Sequence, residues 1–149
     1  MNQHEMMGKI ERLVDDAKVA VLATVDSDGR PHVRWMTPAV IPGRPGAVFA
    51  VTAPDFAKVH QLEANPNVEW LFQSRALDEV VNLRGRINVV DNPSLRSEVL
   101  EAVGHRLAIF WRACQGEDCV VLETVAEEAV YQRTAMHVRE VVAFQLAGG

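Results

Sequence analysis

The strongest constraint on the fold is that short apolar segments alternate with turn residues. Asp28-Gly29 separates KVAVLAT from HVRWMT, and a tight turn needs the positive φ that glycine supplies. Residues 19–25 and 31–40 therefore read as a hairpin, with Pro38 marking a strand end or an edge. Pro42, Gly43, Pro45 and Gly46 form the next loop, and 47–52 (AVFAVT) the next strand. Residues 67–73 and 79–90 are further strands, the second with Gly85 as a bulge candidate. Residues 119–126 and 139–146 look like closing strands. Helices are few. Residues 3–17 carry Met6, Ile10, Leu13, Val14 and Ala17 at helical spacing, interrupted by Gly8. A short helix follows Thr52, with Asp55 as its cap and Asn65-Pro66 as its end. Asn92-Pro93 opens another that runs to about Val103. The stretch HRLAIFWRACQG is ambiguous. Strands joined by hairpins give a mainly β chain with an antiparallel sheet, a small barrel with peripheral helices.

The chain has 149 residues, 15 Lys+Arg against 20 Asp+Glu and a net charge of −5. That length suits one domain spanning residues 1–149. With 48% apolar and 23% charged residues, it is neither disordered nor a disulfide scaffold. The acidic balance argues against a protein that grips nucleic acid, although a local cationic pocket for a small anion remains compatible with it. The N-terminus has no apolar secretory core, and no apolar run is long enough to span a membrane. Cys114 and Cys119 in a chain without such a signal suggest the cytoplasm and free thiols. Their separation could also hold a disulfide or half a metal site, but no second Cys/His pair completes one, so no metal is expected.

No nucleophile elbow, P-loop or G-x-G-x-x-G is present. Ser27, Ser74, Ser94 and Ser97 lie in no nucleophile setting, and the histidines have no ligand spacing. No catalytic side chain can be named. The constellation that remains is cationic. Arg34 follows the hairpin, Thr52 ends the next strand, and Lys58 lies in the first turn of the helix after it. A helix N-terminus with a Lys, a hydroxyl and an Arg makes a candidate phosphate site. Spacing alone also accommodates Arg34 and Lys58 as solvated surface cations. Trp70 reads as core. Trp35 must face away from Arg34 on its strand, and Trp111 could line a pocket or an interface.

These residues together resemble a known family. Asp28-Gly29-Arg30-Pro31 with Arg34, Phe49 to Thr52, Phe56-Ala57-Lys58 and Asn65-Pro66 follow one another as in the FMN-binding split barrels. Among these the chain is most similar to the pyridoxamine-phosphate-oxidase-like proteins of the general stress protein 26 group. The resemblance implies a six-stranded antiparallel split barrel and a homodimer with FMN sites at its interface. It implies that Arg34 and Lys58 hold the FMN phosphate. Trp35, Met36 and Thr37 would lie along the isoalloxazine ring, Val51 and Thr52 beside them, and Trp111 would approach the flavin. The chain departs from the family pattern at Phe56, where the family has a serine, and at Ala57, where the oxidases often carry a second cation. A family glutamine corresponds to about Val80, and MHVREVVAFQLAGG has no match to the oxidases' substrate elements. Pyridoxamine phosphate oxidation itself is therefore not expected. The implied function is an FMN-dependent oxidoreductase of unknown substrate. The alternative is a binder of flavin, haem or another small molecule without turnover.

Overall fold

Asn2 opens the first helix because its side chain accepts a hydrogen bond from the Glu5 amide at 2.8 Å. This helix, α1 (Gln3–Ala17), buries Met6, Met7, Ile10, Leu13 and Val14 along one stripe. It ends at Lys18, whose φ of 70° breaks the helical path. The computed structural model describes residues 1–52, 62–103 and 119–145. After α1 come β1 (Ala20–Val25), β2 (Pro31–Met36), β3 (Ala47–Thr52), β4 (Asn67–Gln73), β5 (Glu79–Val90), α2 (Pro93–Val103), β6 (Val120–Arg133) and β7 (Val138–Ala143). A 3-10 turn, Thr134–Met136, joins the last two strands.

The strands form one antiparallel, seven-stranded sheet in the order β2-β1-β4-β5-β6-β3, with β7 added alongside β6. The resemblance implies six strands and the sequence pattern alone marks seven segments; the sheet has seven and does not close. β2 and β3 are its two ends, and a single bridge between Ala39 and Phe49 brings the chain after β2 against β3. The expected strand over 31–40 stops at Met36. Pro38 has no N–H to give a ladder, so pairing resumes only at Ala39. At the β1–β2 hairpin, the Gly29 amide donates to the Asp26 carbonyl at 3.0 Å. Ser27 and Asp28 take the central turn positions, and Gly29 takes the left-handed one at φ 80°. The Asp26 carboxylate accepts from the Asp28 and Arg30 amides and pairs with His32 at 2.8 Å. The bond to His32 holds its carboxyl below the usual carboxylate range.

β6 runs well past the expected end at 126. Its register against β5 shifts between Arg84 and Gly85, where Glu127 is left over, and this extra residue disrupts the alternation that would reveal the strand's second half. The backbones come very close here. A Cβ on Gly85 would lie 2.3 Å from the Val125 carbonyl oxygen. The last strand is Val138–Ala143 rather than 139–146.

Two apolar clusters result. One lies between α1 and the sheet, around Trp70, Phe72, Leu83 and Leu122; the Trp70 and Phe72 rings stack at 5.7 Å. The other joins α2, through Leu95, Val99 and Val103, to Phe49, Val51 and Val121. β3 is buried on both faces because Val48 and Ala50 enter the first cluster while Ala47, Phe49 and Val51 enter the second. Cys119 is buried in the second cluster and is disulfide-bonded, not the expected free thiol. The expected helix after Thr52 and the stretch HRLAIFWRACQG lie outside the described residues, apart from a helical turn at 62–64.

α1 is tied to the sheet by polar contacts as well. The Tyr131 hydroxyl donates to Glu79 Oε1 at 2.6 Å, Arg12 donates to the same oxygen at 3.0 Å, and Lys9 Nζ sits 4.9 Å from the Tyr131 ring centre. Burial, then the hydrogen bond to Glu79, pushes the Tyr131 hydroxyl up to about 12. Its ordinary value is 10.0, so the stability this adds is complete below pH 10 and is lost as pH rises through about 12. Tyr131 is the chain's one tyrosine. Tyrosinate absorbance is thus a direct readout, and Glu79→Gln should move its midpoint down toward 10. Two glycines should respond in opposite senses in denaturant unfolding. Gly85→Ala should destabilise by about 2–3 kcal/mol through backbone overlap. Gly8→Ala, in open space on α1, should stabilise by up to ~1 kcal/mol.

Candidate functional site

On β2, side chains alternate between the two faces of the sheet. His32, Arg34 and Met36 point the same way as their register partners Thr24, Leu22 and Ala20 on β1. Met36, Leu22 and Ala20 belong to the core, so Arg34 stands in a row that begins in the apolar interior and ends at the exposed Asp26–His32 pair. Its guanidinium has turned toward Thr24. Nη2 donates to Thr24 Oγ1 at 2.6 Å, and Thr24 is fully buried. Nη1 is also buried and has no hydrogen-bond partner. No carboxylate among the described residues pairs with Arg34. Burial lowers its affinity for a proton, but a guanidinium stays charged throughout the accessible pH range.

An unpaired buried donor on a charged group is expensive, about 1–3 kcal/mol or more. Such a donor suits the oxygen of an anion. Because Nη1 is shielded from water, an incoming acceptor must part the surroundings to reach it.

The structure places the remaining sequence-derived positions as follows. Met36 and Thr37 are buried, as are Val51 and Thr52 at the end of β3. The Ala39–Phe49 bridge is antiparallel, so the chain running back toward Thr37 lies alongside the chain running on to Thr52. Met36 and Thr37 thus run toward Val51 and Thr52 at one end of the split between the sheet's two edges, while Arg34 lies further back on β2 with its guanidinium turned to the hairpin side. Trp35 faces the other way and is 80% exposed. With Val33, also exposed, and Val21 it borders a shallow depression of about 270 Å³ that Arg34 also lines. Lys58, Phe56 and Trp111 lie outside the described residues. Sequence reasoning missed Thr24. Counting back from the turn reveals it, because Val25 pairs with Pro31, which puts Thr24 on the Arg34 face and diagonal to it, within reach of a long side chain.

Among the described residues, no group of three or more His, Cys, Asp or Glu side chains converges as a metal site. No described helix is long and apolar enough to cross a membrane.

The family model described as pyridoxamine 5'-phosphate oxidase matches residues 6–141. The chain belongs to this family. Within it, the chain is 38% identical over 82 residues to the pyridoxine/pyridoxamine 5'-phosphate oxidase of Pseudomonas entomophila. That match covers 55% of this chain and 37% of the oxidase, so the chain spans little more than a third of such relatives. It is 27% identical over 131 residues to general stress protein 26 of Bacillus subtilis, covering 86% of this chain and 89% of that one. Among solved structures, a protein related to general stress protein 26 from Clostridium acetobutylicum superposes with a TM-score of 0.74 at 18% identity, covering 94% and 95% of the two chains. A FAD-binding protein of Mesorhizobium loti superposes at 0.64, with 16% identity and 83% and 91% coverage. A heme binding protein of Mycobacterium smegmatis superposes at 0.71, with 14% identity and 91% and 56% coverage. The mainly β, antiparallel architecture is that of the family's split barrels.

The orphaned nitrogen gives a test that needs no ligand. Arg34→Met removes a buried, half-satisfied charge from an apolar row, so the ligand-free variant should unfold at the same or a higher temperature than the wild type. A clear loss of stability in calorimetry would contradict the assignment of Arg34 to a site kept for function.

Proposed function

We propose that the chain binds FMN at the end of the split between β2 and β3 and acts as a flavin-dependent oxidoreductase on a small redox substrate. The observation that carries this reading is the buried, partnerless Nη1 of Arg34, which matches the need of a phosphate oxygen. Arg34 and Lys58 are the residues that would hold the phosphate. The backbone of residues 35–37, with Val51 and Thr52, would flank the ring, and Trp111 would approach it. When bound, the flavin supplies the electron transfer, while the protein supplies binding, orientation and shelter from water. The flavin-binding and heme-binding neighbours show what such barrels can carry.

A second reading is a flavin or haem binder without turnover. It draws support from the site positions themselves: Arg34 to Thr37, Val51 and Thr52 include no carboxylate or histidine to move a proton. Both readings fit a homodimer that covers the exposed Val33 and Trp35 strip on edge strand β2.

Purified protein should carry the visible absorption of oxidised flavin, or take up added FMN; colourless protein that ignores FMN would sink the first reading, and a Soret band would favour haem. Reduction of the bound flavin by a nicotinamide donor, followed by turnover of an acceptor, separates enzyme from binder. Arg34→Ala and Lys58→Ala should each weaken FMN binding by about 1.5–3 kcal/mol, measured by fluorescence titration. Light scattering should find a dimer for the wild type and a shift toward monomer for Trp35→Asp.

A further inference from the structure

We infer that Thr24 is the positioning residue of the phosphate site, the group that keeps the Arg34 guanidinium held inside the protein rather than out in water. This rests on the FMN reading above. An arginine between Leu22 and Met36 has every reason to swing past His32 into solvent, where all its donors would be hydrated. One contact among the described residues opposes that, the 2.6 Å bond from Nη2 to Thr24 Oγ1. The length is typical of a charge-assisted bond. Thr24 is suited to this task because it is β-branched and on a strand, which restricts its side-chain rotation and so fixes its hydroxyl. It is also fully buried, so water does not compete for the acceptor. Holding one nitrogen this way leaves its neighbour Nη1 pointing free inside the protein.

Stability alone does not explain the pair. A Val and a Met of similar volume would fill the same space without a buried charge and would be at least as stable. The pair makes sense if the free nitrogen is the product, a preset donor for a phosphomonoester. The site should therefore distinguish FMN from riboflavin, which has the same ring and no phosphate, and Thr24 should contribute to that distinction through Arg34.

The experiment is a set of fluorescence titrations with FMN and with riboflavin on the wild type, Thr24→Val, Thr24→Ser, Arg34→Met and the Thr24→Val/Arg34→Met double variant, each with a thermal unfolding curve. The wild type should prefer FMN. Thr24→Val should lose about tenfold or more of its FMN affinity while its riboflavin affinity stays put. Thr24→Ser, which keeps the acceptor, should restore the preference. In the Arg34→Met background, Thr24→Val should change nothing further. Equal losses for both ligands, or additive losses in the double variant, would reduce Thr24 to a packing residue and overturn the inference. So would a Thr24→Val protein with the wild-type preference. A wild type that binds both flavins alike, or neither, would instead overturn the phosphate reading of Arg34 and this inference with it. If Thr24→Val does not fold, Thr24→Ala answers the same question.

Discussion

The sheet depends on β6. One edge of this strand pairs with β5 from Val121 to Arg133, and the other is shared between β3 and β7. The handover falls at Ala126 and Glu127. The Ala126 amide donates to the Gly46 carbonyl at 2.9 Å, and the Glu127 carbonyl accepts from the Phe144 amide at 2.8 Å, so backbone bonding carries on where one neighbour gives way to the next. The bulge that makes room for this is opposite Gly85, where only a hydrogen fits against the Val125 carbonyl. A single missing Cβ therefore lets one strand serve three neighbours. β3 takes Val120–Val125 of the shared edge and β7 takes Glu128–Arg133.

Much of this could be read from the sequence because local chemistry and tertiary context agree. Helix α1 announces itself by apolar spacing and lies over 3–17 as expected. β3, β4 and β5 match their predicted limits, and Gly85 marks the irregularity it was expected to mark. The misses have a common physical origin, which is that pairing rather than propensity decides where a strand stops. β2 ends early because Pro38 cannot donate, and β6 continues because β7 is there to receive it. The seventh strand was already legible as the apolar segment after 138, but the open split follows from the pairings, which no local pattern records.

The site was legible in part, and for a reason. Arg34 could be singled out by its place after the hairpin, and the backbone puts it on the interior face. What sequence could not give was the state of its guanidinium, with one nitrogen held by Thr24 and the other left unpaired in the dark. That depends on a diagonal contact between two strands, visible only once the register is known. The second cation, Lys58, comes from a different segment, so the phosphate would be gripped from two separate parts of the chain.

β3 is the one strand buried on both faces, its odd and even residues packed into different clusters. Most strands of such a sheet keep one side outside the core, and β2 shows this plainly with its outward Val33 and Trp35. β3 has no such side. Every position on it is held by packed neighbours, those of α2 on one side and those of the sheet interior on the other. Val51 and Thr52, buried at the end of β3, are therefore held from two sides, and a change in α2 or in the sheet interior would reach them through the strand.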